Sequence, residues 1–200
     1  MTPHANLIPA CLFACLLGAG CDEPRSLGEL AFPGSSLSMD ALARDALRGL
    51  ADSDAIQLDQ LRLTETEHNE VVWPELPASA PEVGFPVDFA WRNIQLRNYS
   101  ALGRVGGWYQ SNPVRHQVTE CRGETREFAT FRVHTDCWVL FLTIRGELLE
   151  AQLFKDVLER DGGFKIFRYY DELPRRARIR RTRHPHPATF GPPGSPRGRA

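Results

Sequence analysis

LFKDVLERDGGFKIFRYYD, Leu153 to Asp171, sets apolar and polar residues on either side of a glycine pair. Phe164 and Ile166 flank Lys165 with a period of two, which is the pattern of a half-buried strand. Asp161-Gly162-Gly163 is turn chemistry, so the segment reads as two antiparallel strands joined by a hairpin. Working back towards the N-terminus, Val114 to Cys121, Glu127 to His134, Cys137 to Arg145 and Glu147 to Arg160 are strand-like as well. Two Arg-Gly-Glu turns, at 122–124 and 145–147, separate them. Phe128, Phe131, Val133, Trp138, Leu140, Leu142, Leu153, Val157, Phe164, Ile166 and Phe167 are the expected core.

Ahead of this meander the period is helical. Met39, Leu42, Ala43, Ala46, Leu47 and Leu50 repeat at three and four residues behind Ser38, which predicts an amphipathic helix over 39–51. Thr64-Glu65-Thr66-Glu67 is a capping-box pattern for a short helix ending at Pro74. The Pro-rich stretch Trp73 to Pro86 reads as a surface loop. A third helix follows from Val87, with Gly103 and then Gly106-Gly107 expected to close it. Helices first and consecutive strands afterwards give an α+β class, with N-terminal helices packed on a curved antiparallel sheet.

That order resembles the NTF2-like, or cystatin-like, cone fold. VVWPELPAS (Val71–Ser79), FPVDFAW (Phe85–Trp91), GETREFATFRVH (Gly123–His134) and the hairpin segment resemble a group of uncharacterised bacterial envelope proteins over about residues 37–172. The resemblance implies a fold and no mechanism.

The apolar run Leu7–Leu17, interrupted by Pro9, is followed by Gly18, Ala19, Gly20 and Cys21. It is shorter than the roughly 20 residues needed to span a bilayer and has the anatomy of a secretory signal. Small residues before Cys21 resemble the bacterial lipobox, in which that thiol is acylated and becomes the first residue. The pattern departs at Gly18, where the lipobox prefers leucine. The expectation is a signal peptide over 1–20, a lipid on Cys21, a tether over 21–36, one α+β domain over 37–173 and a disordered Arg/Pro-rich tail over 174–200. Such a protein would sit in the bacterial cell envelope, membrane-anchored and facing the periplasm or the exterior.

The overall charge of −1 hides a segregation: the tail's eight arginines and no acid leave residues 1–173 at −9. An acidic body argues against a nucleic-acid-binding domain, whose affinity rests on neutralising phosphates. Arg175, Arg176, Arg178, Arg180, Arg181 and Arg183 instead suit anionic lipid head groups, and a solubilising tail without a partner is the other reading.

With Cys11 and Cys15 in the leader and Cys21 assigned to lipid, Cys121 and Cys137 remain in an oxidising compartment, which invites a disulfide. A simple meander places them about 26 Å apart, however, and both readings stay open. His116, His134 and Asp136 are the candidate acid-base groups, although no spacing brings the two histidines together. Lys155 and Lys165 are expected to be solvated. No CxxC or HExxH occurs, and neither a metal nor a cofactor is expected. The leading expectation is a non-catalytic binding or structural module. A small pocket enzyme and a subunit of an envelope assembly are the alternatives.

Overall fold

The computed structural model describes residues 31–177. The leader, Cys21 and Arg178, Arg180, Arg181 and Arg183 lie outside the described residues.

Helix α1, Met39–Asp52, forms where its spacing predicts. The Ser38 hydroxyl accepts from the Ala41 amide at 3.1 Å, and Leu42, Ala43, Ala46, Leu47 and Leu50 are buried. A second helix that the periodicity did not announce, α2 at Ala55–Gln60, is capped by Asp54, whose carboxylate accepts from Gln57 N at 2.9 Å. The two helices meet at Gly49, where a Cβ would stand 2.9 Å from the Leu58 side chain. The capping box is real: Thr64 and Glu67 exchange hydrogen bonds around α3, Glu65–Glu67. The chain then continues through a π-helical turn, His68–Val72, into short 3₁₀ turns and the Pro-rich loop.

Helix α4, Val87–Ser111, corrects the expected stop. It runs through Gly103, Gly106 and Gly107 because its buried stripe, Ala101, Val105 and Tyr109, keeps a four-residue spacing past them. Pro113, just beyond the cap at Asn112, marks the end.

Six antiparallel strands follow: β1 Val114–Cys121, β2 Thr125–Glu127, β3 Arg132–Thr143, β4 Leu148–Arg160, β5 Gly163–Tyr169 and β6 Arg175–Arg176. The sheet order is β1-β3-β4-β5, with β2 also on β3 and β6 also on β4. Residues 127–134 and 137–145 were expected as separate strands, yet β3 is continuous. Asp136 takes a positive φ of 52° and the register shifts at Cys137/Trp138, so the intervening polar residues make a bulge and not a turn.

Helices α1, α2 and α4 cover one face of the sheet over Val139, Phe141, Leu153, Phe154, Val157 and Ile166. A second cluster gathers Phe32, Leu63, Val72, Phe131, Val133 and Leu158. Of the expected core, Phe131, Val133, Trp138, Leu153, Val157 and Ile166 are buried; Phe128, Leu140, Leu142, Phe164 and Phe167 are partly buried. The outer edge of β5 is covered by other segments. Ile166 exchanges backbone hydrogen bonds with Leu61 and Leu63, and the Asn98 amide bonds Phe167 O and Tyr169 N.

Both expected domain limits move outward. Phe32 is 2% exposed, and Ser36 exchanges hydrogen bonds with Phe164 at 3.0 and 2.8 Å, so the end of the presumed tether is part of the fold. At the other end Arg175–Arg176 form β6 against Leu149 and Glu150. Arg175 and Arg122 both approach the Trp138 ring, at 4.2 and 4.7 Å, and both bond the Glu150 carboxylate.

Candidate functional site

The largest concavity described is a groove of about 640 Å³ between α4 and the end of β5. Helix α4 supplies Leu96, Arg97, Ser100, Ala101 and Arg104; β4 supplies Lys155; the end of β5 and the residues after it supply Arg168, Tyr169, Tyr170 and Asp171. Four cations and one carboxylate therefore line the groove, beside apolar surface from Leu96, Ala101 and the tyrosines.

The cations are held in different ways. Arg104 bonds Asp171 at 2.6 Å, Arg168 bonds Asp156, and Lys155 bonds Asp136 while its ammonium lies 5.5 Å from the Tyr170 ring. Arg97 bonds only the Asn93 side chain, at 3.2 Å, and among the described residues it has no carboxylate partner. The hydrogen bond from Lys155 holds the Asp136 carboxyl below its ordinary value. Asp136 is thus an ionised anchor for a lysine, and Lys155 is ion-paired at the groove instead of simply solvated.

His116 and His134 do not meet. His116 is buried between Thr119, at 2.9 Å, and Asp40, at 3.3 Å, where burial lowers its proton affinity and Asp40 partly restores it. His134 pairs with Glu159 at 2.7 Å, not with Asp136, and its other ring nitrogen lies 3.1 Å from the Thr125 hydroxyl. Thr125, His134 and Glu159 thus form a line of hydroxyl, imidazole and carboxylate, the order used by nucleophilic hydrolases. The amides of Ala129 and Thr130 donate to Glu75. Neither Thr125 nor His134 lines any of the five described cavities.

Cys121 and Cys137 are bonded to each other, with Cα atoms 3.8 Å apart. The meander argument failed because β1 pairs with the second half of β3 while residues 122–136 loop out through β2 and back. The register then sets Cys121 directly opposite Cys137. Gly123 permits that excursion: a Cβ there would stand 2.9 Å from the Thr135 carbonyl oxygen.

Lys165 corrects its expectation more sharply. It is 3% exposed, and its ammonium bonds both oxygens of Glu67, itself 8% exposed, at 2.8 and 2.9 Å. Beside this pair His68 is fully buried, with ring centroids 5.2 to 6.3 Å from Trp91, Trp73 and Phe167. Its Nδ1 meets Asn69, its Nε2 has no partner, and burial lowers its proton affinity. Arg62, 3% exposed, bonds Asp59 and Gln95 and lies over Tyr99. None of these positions carried a sequence signal, because each partner comes from a different element.

Among the described residues no three His, Cys, Asp or Glu side chains gather as a metal set, and no helix is long and apolar enough to cross a membrane. Compared with known proteins, the chain matches no family model, no curated protein and no solved structure.

Proposed function

We propose that this chain is an exported bacterial envelope protein, lipid-anchored at Cys21, that works as a non-catalytic binding module on an NTF2-like scaffold. Helices preceding an antiparallel sheet support that scaffold, and the apolar leader ending in Gly18-Ala19-Gly20-Cys21 supports the anchor. The observation that carries the binding reading is the groove: four cations converge beside apolar walls, and Arg97 keeps its charge uncommitted. Such a lining suits a small anionic amphiphile, with its carboxylate or phosphate on the guanidinium groups and its apolar body along Leu96 and Tyr170.

Lauryl phosphate and laurate are suitable probes, titrated below the concentration at which they aggregate and followed by calorimetry. The reading expects saturable one-to-one binding that Arg97→Ala weakens about tenfold, equivalent to ~1.4 kcal/mol, without changing the melting temperature. Absence of saturable binding by the parent chain would overturn it.

The line of Thr125, His134 and Glu159 favours one second reading, a small hydrolase. Turnover of p-nitrophenyl acetate that His134→Ala abolishes would establish it, whereas a rate equal to free imidazole would dismiss it. As for the basic tail, Arg175 already bonds Glu150 and Glu172, whereas Arg176, 88% exposed with Glu147 3.7 Å away, stays available to anionic lipid with Arg178, Arg180, Arg181 and Arg183.

A further inference from the structure

The exposed face of α4 joins two features that the fold itself does not use. Phe85, just before the helix, Phe89, Leu96 and Tyr99 are 40, 55, 63 and 58% exposed. The seven-residue spacing from Phe89 to Leu96 sets them on one line of the helix, and Tyr99 lies on the adjoining row. Arg92 sits on one flank of that line and Arg97 on the other, and neither has a carboxylate partner among the described residues. Asp88 is the only acid in the 25 residues of the helix, against three arginines. The main apolar stripe of α4 is committed to the core, and what it leaves outward is a narrow line of aromatic and aliphatic side chains with unpaired arginines alongside, chemistry that suits an anionic lipid surface.

The path of the chain points to the same occupant. Phe32 and the partly buried Phe167 belong to one cluster, and Phe167 begins a continuous series of rings through His68, Trp73 and Phe85 to Phe89. The first described residues therefore pack where this ring series starts, four centroid steps of 5.4 to 6.3 Å from Phe89. From residue 31 back to Cys21 the chain reaches at most about 35 Å when fully extended, so an anchored Cys21 keeps this end near the membrane. The strand β6 joins β4 at Leu149, at the far end of a strand of about 40 Å, so the basic tail departs from the opposite end.

We infer that the outer face of α4, with Phe85, is a docking surface for an anionic phospholipid bilayer. Phe85 and Phe89 enter the head-group region and Arg92 meets lipid phosphates, while Leu96 and Arg97 stand where this face meets the groove. The inference rests on the anchored reading for its orientation, but the surface should bind lipid without the anchor.

The test uses the chain from residue 21 onward carrying Cys21→Ser, so that the apolar leader cannot itself enter a bilayer, mixed with vesicles of phosphatidylcholine alone or containing phosphatidylglycerol, and hydroxyl-radical footprinting read by mass spectrometry. On the anionic vesicles, oxidation of Phe85 and Phe89 should fall at least about threefold, while Ile144, 81% exposed on the β3–β4 turn, should not change. Arg92→Glu, which leaves the groove lining intact, should weaken sedimentation with the anionic vesicles by about fivefold or more. Sedimentation without protection of α4 would overturn the inference and leave that face to a protein partner in an envelope assembly. No sedimentation at all would overturn it too. A missing acyl group in the host protein is a separate outcome, and it removes the anchor while leaving the footprint standing.

Discussion

Replacing Lys165 by Met should cost the fold far more than a surface lysine would. The ammonium is 3% exposed and bonds both Glu67 oxygens, so its loss leaves a carboxylate that is 8% exposed without its counter-charge. Glu67 keeps only the hydrogen bond donated by Thr64 N, at 2.7 Å. Breaking one side of a buried pair costs about 3–5 kcal/mol, because desolvation of the remaining charge is no longer offset. In a domain of this size each kcal/mol lowers the melting temperature by about 2–4 °C, so a drop of roughly 6 °C or more is expected. Adding Glu67→Gln removes the stranded charge while keeping an acceptor for Thr64, and the double variant should recover to within about 1 kcal/mol of the parent. Urea unfolding of the four chains followed by circular dichroism gives the coupling directly. A Lys165→Met cost below about 1 kcal/mol, or no recovery in the double variant, would refute the buried-pair account.

Reduction of the Cys121–Cys137 bridge, which closes a separation of 16 residues, should cost about 3 kcal/mol. Melting with and without reductant measures it, and equal melting temperatures would show that the bridge does not form. His68 and His116 are both held below 6.5 by burial, so the neutral ring belongs to the fold and the unfolded chain takes up protons first. Their contribution is complete above pH 6.5 and diminishes as pH falls below it. His68→Phe should flatten that acid slope, and an unchanged slope would argue against a buried neutral ring. Gly103 and Gly107 sit inside α4 with nothing within 4 Å of an added Cβ. Changing either to Ala should stabilise by about 0.5–1 kcal/mol in a thermal melt, and destabilisation would indicate a neighbour that the chain alone does not contain.

What was legible in the sequence is what local chemistry decides. Ser38 and the Thr64–Glu67 box fixed helix starts because the groups that satisfy the first amides lie three residues away. The alternation that marks β1, β4 and β5 is equally local, and Asp161-Gly162 makes the hairpin between the last two. Asp136 misled, since one left-handed residue in a strand has the same composition as a turn. The glycines of α4 misled in the opposite sense: its buried stripe outweighs their cost. Lys165 finds its partner 98 residues away, and the groove draws on α4, β4 and the end of β5, so neither was visible as a motif. The disulfide depended on register, which no spacing rule could supply.

A native mass spectrum of the protein from its own host's membranes reads the proposed anchor and the proposed anionic ligand together. The expected result is a chain beginning at Cys21 with added acyl mass, together with a non-covalent increment that Arg97→Glu diminishes. An unmodified chain with no bound increment would contradict it.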